Sequence, residues 1–160
     1  MPFDTREFRN AVGCFPTGVV VVAVRAAGAL MGITVNSFAS VSLDPPLVMW
    51  CMDRRSRRYD AFTKVAEFTI SVLSSDHEAV SERLALPGEH SLDGLPLTET
   101  ECGTPGLADA LAVLECKREA VHAGGDHSII VGRVTRFACR KTGQPLVFFR
   151  GRYGGLTGSG

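Results

Sequence analysis

Five small polar side chains, Thr34, Asn36, Ser37, Ser40 and Ser42, fall within nine residues of the stretch MGITVNSFASVSLDPPLVMWCMD (31–53). They alternate irregularly with Val35, Phe38, Ala39, Val41 and Leu43, so neither face is purely polar or purely apolar. A surface of this kind suits a flat ligand with a polar edge. Small side chains let the backbone come close, and its N–H groups can donate to ring nitrogens and carbonyls. The same serines and asparagine equally suit a turn ahead of Pro45 and Pro46. Directly downstream, Asp53-Arg54-Arg55-Ser56-Arg57-Arg58-Tyr59 puts four arginines around a serine placed to cap a helix running to about Lys64. Free N–H groups at a helix start and several guanidinium groups together make an anion site. A solvated basic face is the plainer alternative. His127 stands before an apolar strand, a position that often holds a hydrogen-bonded structural histidine.

Other chemistries find little support. His122 and His127 are five apart across a glycine turn, and no cysteine pair has zinc-ligand spacing, so no metal site is expected. No Gly-x-Ser-x-Gly element surrounds a serine, and neither a Gly-x-Gly-x-x-Gly fingerprint nor a phosphate-binding P-loop occurs.

The elements that must position these residues follow from pattern. Asp4 and Glu7 have capping-box spacing, with Phe8, Ala11, Val12 and Phe15 at helical intervals, which predicts a short amphipathic helix ending near Gly13. Strands are expected at 19–24, 30–35 (after a hairpin turn at Ala26-Ala27-Gly28), 47–52, 67–73, 111–121, 127–138 and 146–149. The continuous apolar run 47–52 reads as a strand buried on both faces, and Asp44-Pro45-Pro46 is expected to stop regular pairing before it. Ser75 and Glu78 predict another capped helix with Val80 and Leu84 on one face, ended by Pro87-Gly88. Residues 88–104, rich in Gly, Pro, Thr and acid, read as a functional loop. Seven strand candidates with three short helices argue a mainly β fold, a closed antiparallel barrel of about six strands.

At 160 residues the chain is most simply one domain, 1–160. Its 17 basic and 17 acidic residues balance, so no global field draws it to nucleic acid or an anionic membrane. The charged start, MPFDTREFRN, lacks the apolar core of a signal peptide, and no apolar run is long enough to span a membrane. Cysteines 14, 51, 102, 116 and 139 form an odd set without a CxxC pair, which suits reduced thiols in a cytoplasm.

TVNSFASVSLDPPLV (34–48) resembles the signature of the flavin reductase family with the FMN-binding split barrel, the small reductases that serve two-component monooxygenases. The resemblance continues in GCFPTGVVVVA (13–23), GTPGLADALAVLEC (103–116), GGDHSIIVGRV (124–134) and PLVFFRGRYGGL (145–156), in the family's order and over nearly the whole chain. It implies a six-stranded Greek-key split barrel with a few short flanking helices. It also implies hydride transfer from NADH or NADPH to FMN or FAD, delivery of reduced flavin to a partner monooxygenase, and a homodimer that covers the open flank of the flavin.

Residue by residue, the resemblance implies that Thr34, Val35, Asn36, Ser37, Ser40, Val41 and Ser42 cradle the flavin, with Cys51, Met52 and Asp53 beside it. Cys51 is then a small apolar wall residue rather than a reactive thiol. The flavin phosphate or nucleotide tail falls at Ser56, with Arg55 or Arg57 as partner. The Gly-Asp-His element makes His127 the residue that orients NAD(P)H, with Asp126 either setting its tautomer or holding the turn, and Tyr153 lies near the cofactor unless 150–155 is a frayed basic tail. The chain departs from the family at Glu89-His90-Ser91-Leu92, where many members carry a basic-aromatic element. Hydride transfer needs no dedicated acid or base; it needs two rings stacked with reacting atoms roughly 3–3.5 Å apart and water excluded. Two rival readings remain: an electron carrier or sensor of the same fold, and an arginine-lined barrel binding single-stranded nucleic acid. Zero net charge and few aromatics stand against the second.

Overall fold

The run of valines at 19–24 becomes the strand from which both cores are built. The computed structural model describes residues 3–157. Its elements in order are α1 (Thr5–Val12), β1 (Thr17–Gly18), β2 (Val20–Ala26), β3 (Ala29–Val35), β4 (Ala39–Leu43), β5 (Pro46–Asp53), α2 (Tyr59–Thr63), β6 (Glu67–Val72), a 3₁₀ turn (Ser75–His77), α3 (Glu78–Ala85), β7 (Leu97–Thr98), β8 (Gly106–Leu107), β9 (Ala112–Gly124), β10 (His127–Cys139), β11 (Val147–Phe149) and β12 (Arg152–Gly154). Successive side chains of a strand point to opposite faces. Val20, Val22 and Val24 therefore join one cluster with Trp50, Phe62, Phe68, Ile70 and Ile130. Val19, Val21 and Ala23 join another with Leu73, Leu84, Leu92, Leu107 and Leu146.

The main sheet is antiparallel, in the order β3-β2-β6-β9-β10-β5-β4. The fold is mainly β, as expected, but this sheet has seven strands rather than six, and among the described residues no ladder joins its outer strands β3 and β4. Two local differences account for the count. Asp44-Pro45-Pro46 does not stop pairing: the chain turns at Asp44-Pro45, a cis peptide, and Leu43 pairs with Pro46. Pro46 is tolerated because it is the first residue of its strand. The segment expected as a last barrel strand instead forms β11, which lies between β1 and β12 in a separate three-stranded sheet.

Three further expectations shift. β5 is buried on one face only: Val48, Trp50 and Met52 enter the core, while Leu47, Met49 and Cys51 are half-buried. Ser56 does not cap α2; its Oγ accepts from the Arg58 N–H at 3.2 Å within the turn that precedes the helix. At the third helix the cap is Ser74, whose partner is His77, because the 3₁₀ turn comes first and moves the box one residue back. α1 forms where expected, with the Asp4 carboxylate accepting from the N–H groups of Arg6 (2.8 Å) and Glu7 (3.1 Å), yet none of its residues is buried.

Close approach between strands explains one glycine. A Cβ on Gly132 would lie 2.6 Å from Phe68 Cζ and 3.2 Å from Cys116 Cβ, so β10 crosses the core aromatic only because no side chain intervenes.

Candidate active site

The strand ends gather at one groove of about 1400 Å³. One wall comes from the C-terminal end of β3 and the link after it, Thr34, Val35, Asn36 and Ser37; another from the end of β5, Cys51, Met52 and Asp53. Antiparallel register brings the β9–β10 hairpin beside β5, setting His127 opposite Asp53 and Ile129 opposite Cys51. The turn after β5 supplies Arg55, Ser56, Arg57 and Arg58, and the end of α3 with its following loop supplies Leu84 to Gly88 and His90.

Polar side chains of the groove divide into those already committed to the fold and those still available. Thr34 Oγ1 donates to the Ser81 carbonyl at 2.8 Å, tying β3 to α3. Ser37 Oγ accepts the Cys51 N–H at 2.9 Å. β4 reaches back along β5 only to Ala39, opposite Met49, so Ser37 satisfies the next N–H where that ladder ends. The Ser37 hydroxyl proton and the whole Asn36 amide have no hydrogen-bond partner among the described residues, which leaves donors and an acceptor facing a ligand-sized space.

Charge is distributed unequally along the groove. Arg55 binds Asp53 through Nε at 3.2 Å and Nη2 at 3.1 Å, and Asp126 Oδ2 lies 4.0 Å away. The Arg55 hydrogen bonds hold the Asp53 carboxyl below its ordinary range, and Asp53 in return raises the guanidinium. Arg55, one of the two arginines expected to meet a phosphate, is thus already neutralised by neighbouring carboxylates. Arg57 and Arg58 form no ion pair among the described residues. Arg58 was not singled out by sequence, since nothing in a run of arginines says which of them a nearby aspartate will occupy.

His127 is 41% exposed, and its Nδ1 lies 2.8 Å from Asp126 Oδ1. An ionised carboxylate only accepts, so Nδ1 carries the proton and Nε2 remains open to a ligand. The His127 hydrogen bond is also the main reason that the Asp126 carboxyl sits below its usual range. The geometry fits both roles open to Asp126: its carboxylate meets His127 Nδ1, and its carbonyl accepts the Arg54 N–H at 3.0 Å beside the turn.

Four expected residues lie outside the groove. Ser40, Val41 and Ser42 belong to the edge strand β4, where Val41 falls at a bulge and is 51% exposed. Tyr153 lines a separate, mostly apolar hollow of about 700 Å³ with Pro16, Phe149 and Leu156, and its hydroxyl bonds Ser81 Oγ at 2.7 Å. Residues 150–155 are not a frayed tail, because β12 pairs with β11. Conversely, sequence reasoning did not select the α3 end or His90. The signals were the loop-like composition of 88–104 and the departure at Glu89-His90-Ser91-Leu92, and pairing of this loop beside β3 is a long-range event.

Among the described residues no helix is long and apolar enough to cross a membrane, and no group of three or more His, Cys, Asp or Glu is placed to hold a metal.

Comparison with known proteins gives a consistent result. Residues 12–157 match the family model described as flavin reductase like domain. The chain is 46% identical over 151 residues to the FMN reductase (NADH) SmoA of Agrobacterium fabrum, covering 94% of this chain and 86% of that protein. It is 35% identical over 153 residues to the flavin-dependent monooxygenase reductase subunit HsaB of Rhodococcus jostii, covering 96% and 78%. The solved NADH:FAD oxidoreductase SgcE6 of Streptomyces globisporus, in complex with NAD and FAD fragments, superposes with a TM-score of 0.88 at 34% identity, covering 94% of this chain and 91% of that one.

Proposed function

The chain belongs to the flavin reductase family, and on that premise we propose that the groove between β3, β5 and the β9–β10 hairpin is where it reduces flavin with a reduced pyridine nucleotide. It is an NAD(P)H-dependent flavin reductase, using FMN or FAD and NADH or NADPH, and it supplies reduced flavin to a flavin-dependent monooxygenase. The observation that carries the placement is the unpartnered Asn36 amide beside the Ser37 hydroxyl in a groove large enough for two stacked ring systems.

When bound, flavin supplies the hydride acceptor. The work of the protein is then binding, orientation and exclusion of water. In this reading Asn36 and Ser37 bond the polar edge of the ring, Thr34 and Val35 shape the floor, and Cys51 and Met52 form an apolar wall. Ser56 with Arg57 and Arg58 receives the phosphate end, since neither arginine forms an ion pair among the described residues. His127, its Nδ1–H held by Asp126, offers Nε2 as an acceptor to the donor side of the nicotinamide amide. No proton need move through a side chain for hydride transfer itself.

A homodimer fits the exposed apolar surface. Phe8 and Val12 on α1 (55% and 56% exposed), Phe15 (75%) and Leu156 (65%) remain largely exposed among the described residues, although Phe3 packs against Phe8 with ring centroids 5.2 Å apart. The end of α1 and the β11–β12 turn are joined by the Arg150 N–H to the Gly13 carbonyl at 2.9 Å, which sets these two segments side by side. A second copy of the chain is the occupant proposed for that surface; an active monomer in sedimentation at micromolar concentration would overturn it. The five cysteines are free, which suits a cytoplasmic setting for this activity.

Flavin titration of Asn36→Leu tests the site. Loss of a hydrogen-bonding group beside the ring should weaken binding by about 1–3 kcal/mol where a buried polar partner is left unpaired. Wild-type flavin affinity in a folded Asn36→Leu protein would remove the groove assignment.

A further inference from the structure

His90 lies in the groove wall, and no role follows for it from the fold alone. Its backbone is pinned beside β3: the Gly32 N–H donates to the His90 carbonyl at 2.8 Å, Ser91 bridges to Met31, and the Arg83 guanidinium donates to the Ser91 carbonyl at 2.7 Å. Its ring stands edge-on against Phe62, a fully buried aromatic, with centroids 6.2 Å apart and planes at 66°. Main chain and ring are therefore both fixed in orientation.

The ring nitrogens are not equivalent. Nδ1 is buried and has no hydrogen-bond partner among the described residues, whereas Nε2 makes no hydrogen bond among them and is not buried. Burial, assisted by the positive charge of Arg58, holds the imidazole below its ordinary pKa, against the opposing influence of the Gly32 backbone and of Glu89. The neutral ring carries a single proton. On Nδ1 that proton would be a buried donor with no acceptor in hydrogen-bonding geometry; on Nε2 it faces the groove. A fixed N–H donor beside the unpaired Arg58 guanidinium is suited to an anionic oxygen.

We propose that His90 donates through Nε2 to a phosphate oxygen of the bound flavin nucleotide and, with Arg58, makes this chain select phosphorylated flavins over riboflavin. The proposal rests on the placement of flavin in the groove.

The test is a titration of FMN, riboflavin and ADP-ribose against wild type, His90→Leu and His90→Gln, with ligand-free melting of each protein. His90→Leu keeps apolar packing on Phe62 and loses the donor; it should bind FMN about tenfold more weakly and riboflavin unchanged. His90→Gln restores an N–H donor and should recover most of the FMN affinity. ADP-ribose, the probe for a pyridine-nucleotide phosphate, should bind all three proteins alike. Unchanged FMN affinity in folded His90→Leu, equal losses for FMN and riboflavin, or a loss confined to ADP-ribose would each overturn the role of His90. Asn36→Leu run in parallel separates the two levels. If it weakens neither flavin, the placement of flavin fails and His90 with it; if it weakens both while His90→Leu changes nothing, only the His90 role fails.

Discussion

Replacing Ser37 by alanine removes one oxygen with two separable jobs. That oxygen accepts the Cys51 N–H at 2.9 Å at the point where the β4–β5 ladder has ended. An N–H left without a partner costs about 1–3 kcal/mol when buried. Cys51 is half-buried, so water can replace the acceptor in part, and the lower end applies: about 1 kcal/mol. For a chain of this length such a loss lowers the melting temperature by roughly 2–4 °C. The hydroxyl proton makes no bond within the protein among the described residues and faces the groove. Losing its bond to flavin should cost about 0.5–1.5 kcal/mol, which weakens flavin binding roughly 2- to 10-fold. Urea denaturation reads the first effect and flavin fluorescence quenching the second. Ser40→Ala on the exposed edge strand is the control and should change stability by less than about 0.5 kcal/mol. A Ser37→Ala protein as stable as wild type would refute the ladder-end argument; one that is destabilised yet binds flavin normally would confine Ser37 to the fold.

Other perturbations read other parts of the account. Arg57→Ala with Arg58→Ala should weaken FMN more than riboflavin, whereas Arg55→Ala should not discriminate, because Asp53 and Asp126 already balance its charge; selective loss of FMN in Arg55→Ala alone would reverse that assignment. His127→Ala should raise the NAD(P)H requirement or slow single-turnover reduction without changing flavin affinity, and a stable variant with wild-type reduction kinetics would remove His127 from the site. Gly132→Ala should destabilise by about 1–3 kcal/mol in denaturant, since its Cβ would meet Phe68 and Cys116 in the core, and unchanged stability would mean that Phe68 yields freely.

That 34–37 and the end of β5 lie on the groove wall is legible in sequence because each is local: small polar residues follow a strand, and an apolar run ends in an aspartate. The Gly-Asp-His resemblance points to His127, and the hairpin sets it opposite Asp53 by register, which brings it to the groove. What is not legible depends on distant partners. Whether prolines stop a ladder depends on whether they fall at a strand start, as Pro46 does. Which arginine stays unpaired depends on where Asp53 and Asp126 converge. The burial of a strand face depends on what lies over it: 47–52 reads as doubly buried, yet one side of β5 borders the groove. The loop around His90 shows no periodicity because its order comes from Gly32 and Met31 in another strand.

Steady-state oxidation of NADH and NADPH with FMN, FAD and riboflavin as free acceptors tests the central claim most directly. Many turnovers per protein chain are expected with at least one nucleotide and one flavin, at a rate that falls in Asn36→Leu. Reduction that stops after one equivalent of bound flavin, with no turnover of free flavin, would contradict it and identify a carrier instead of a reductase.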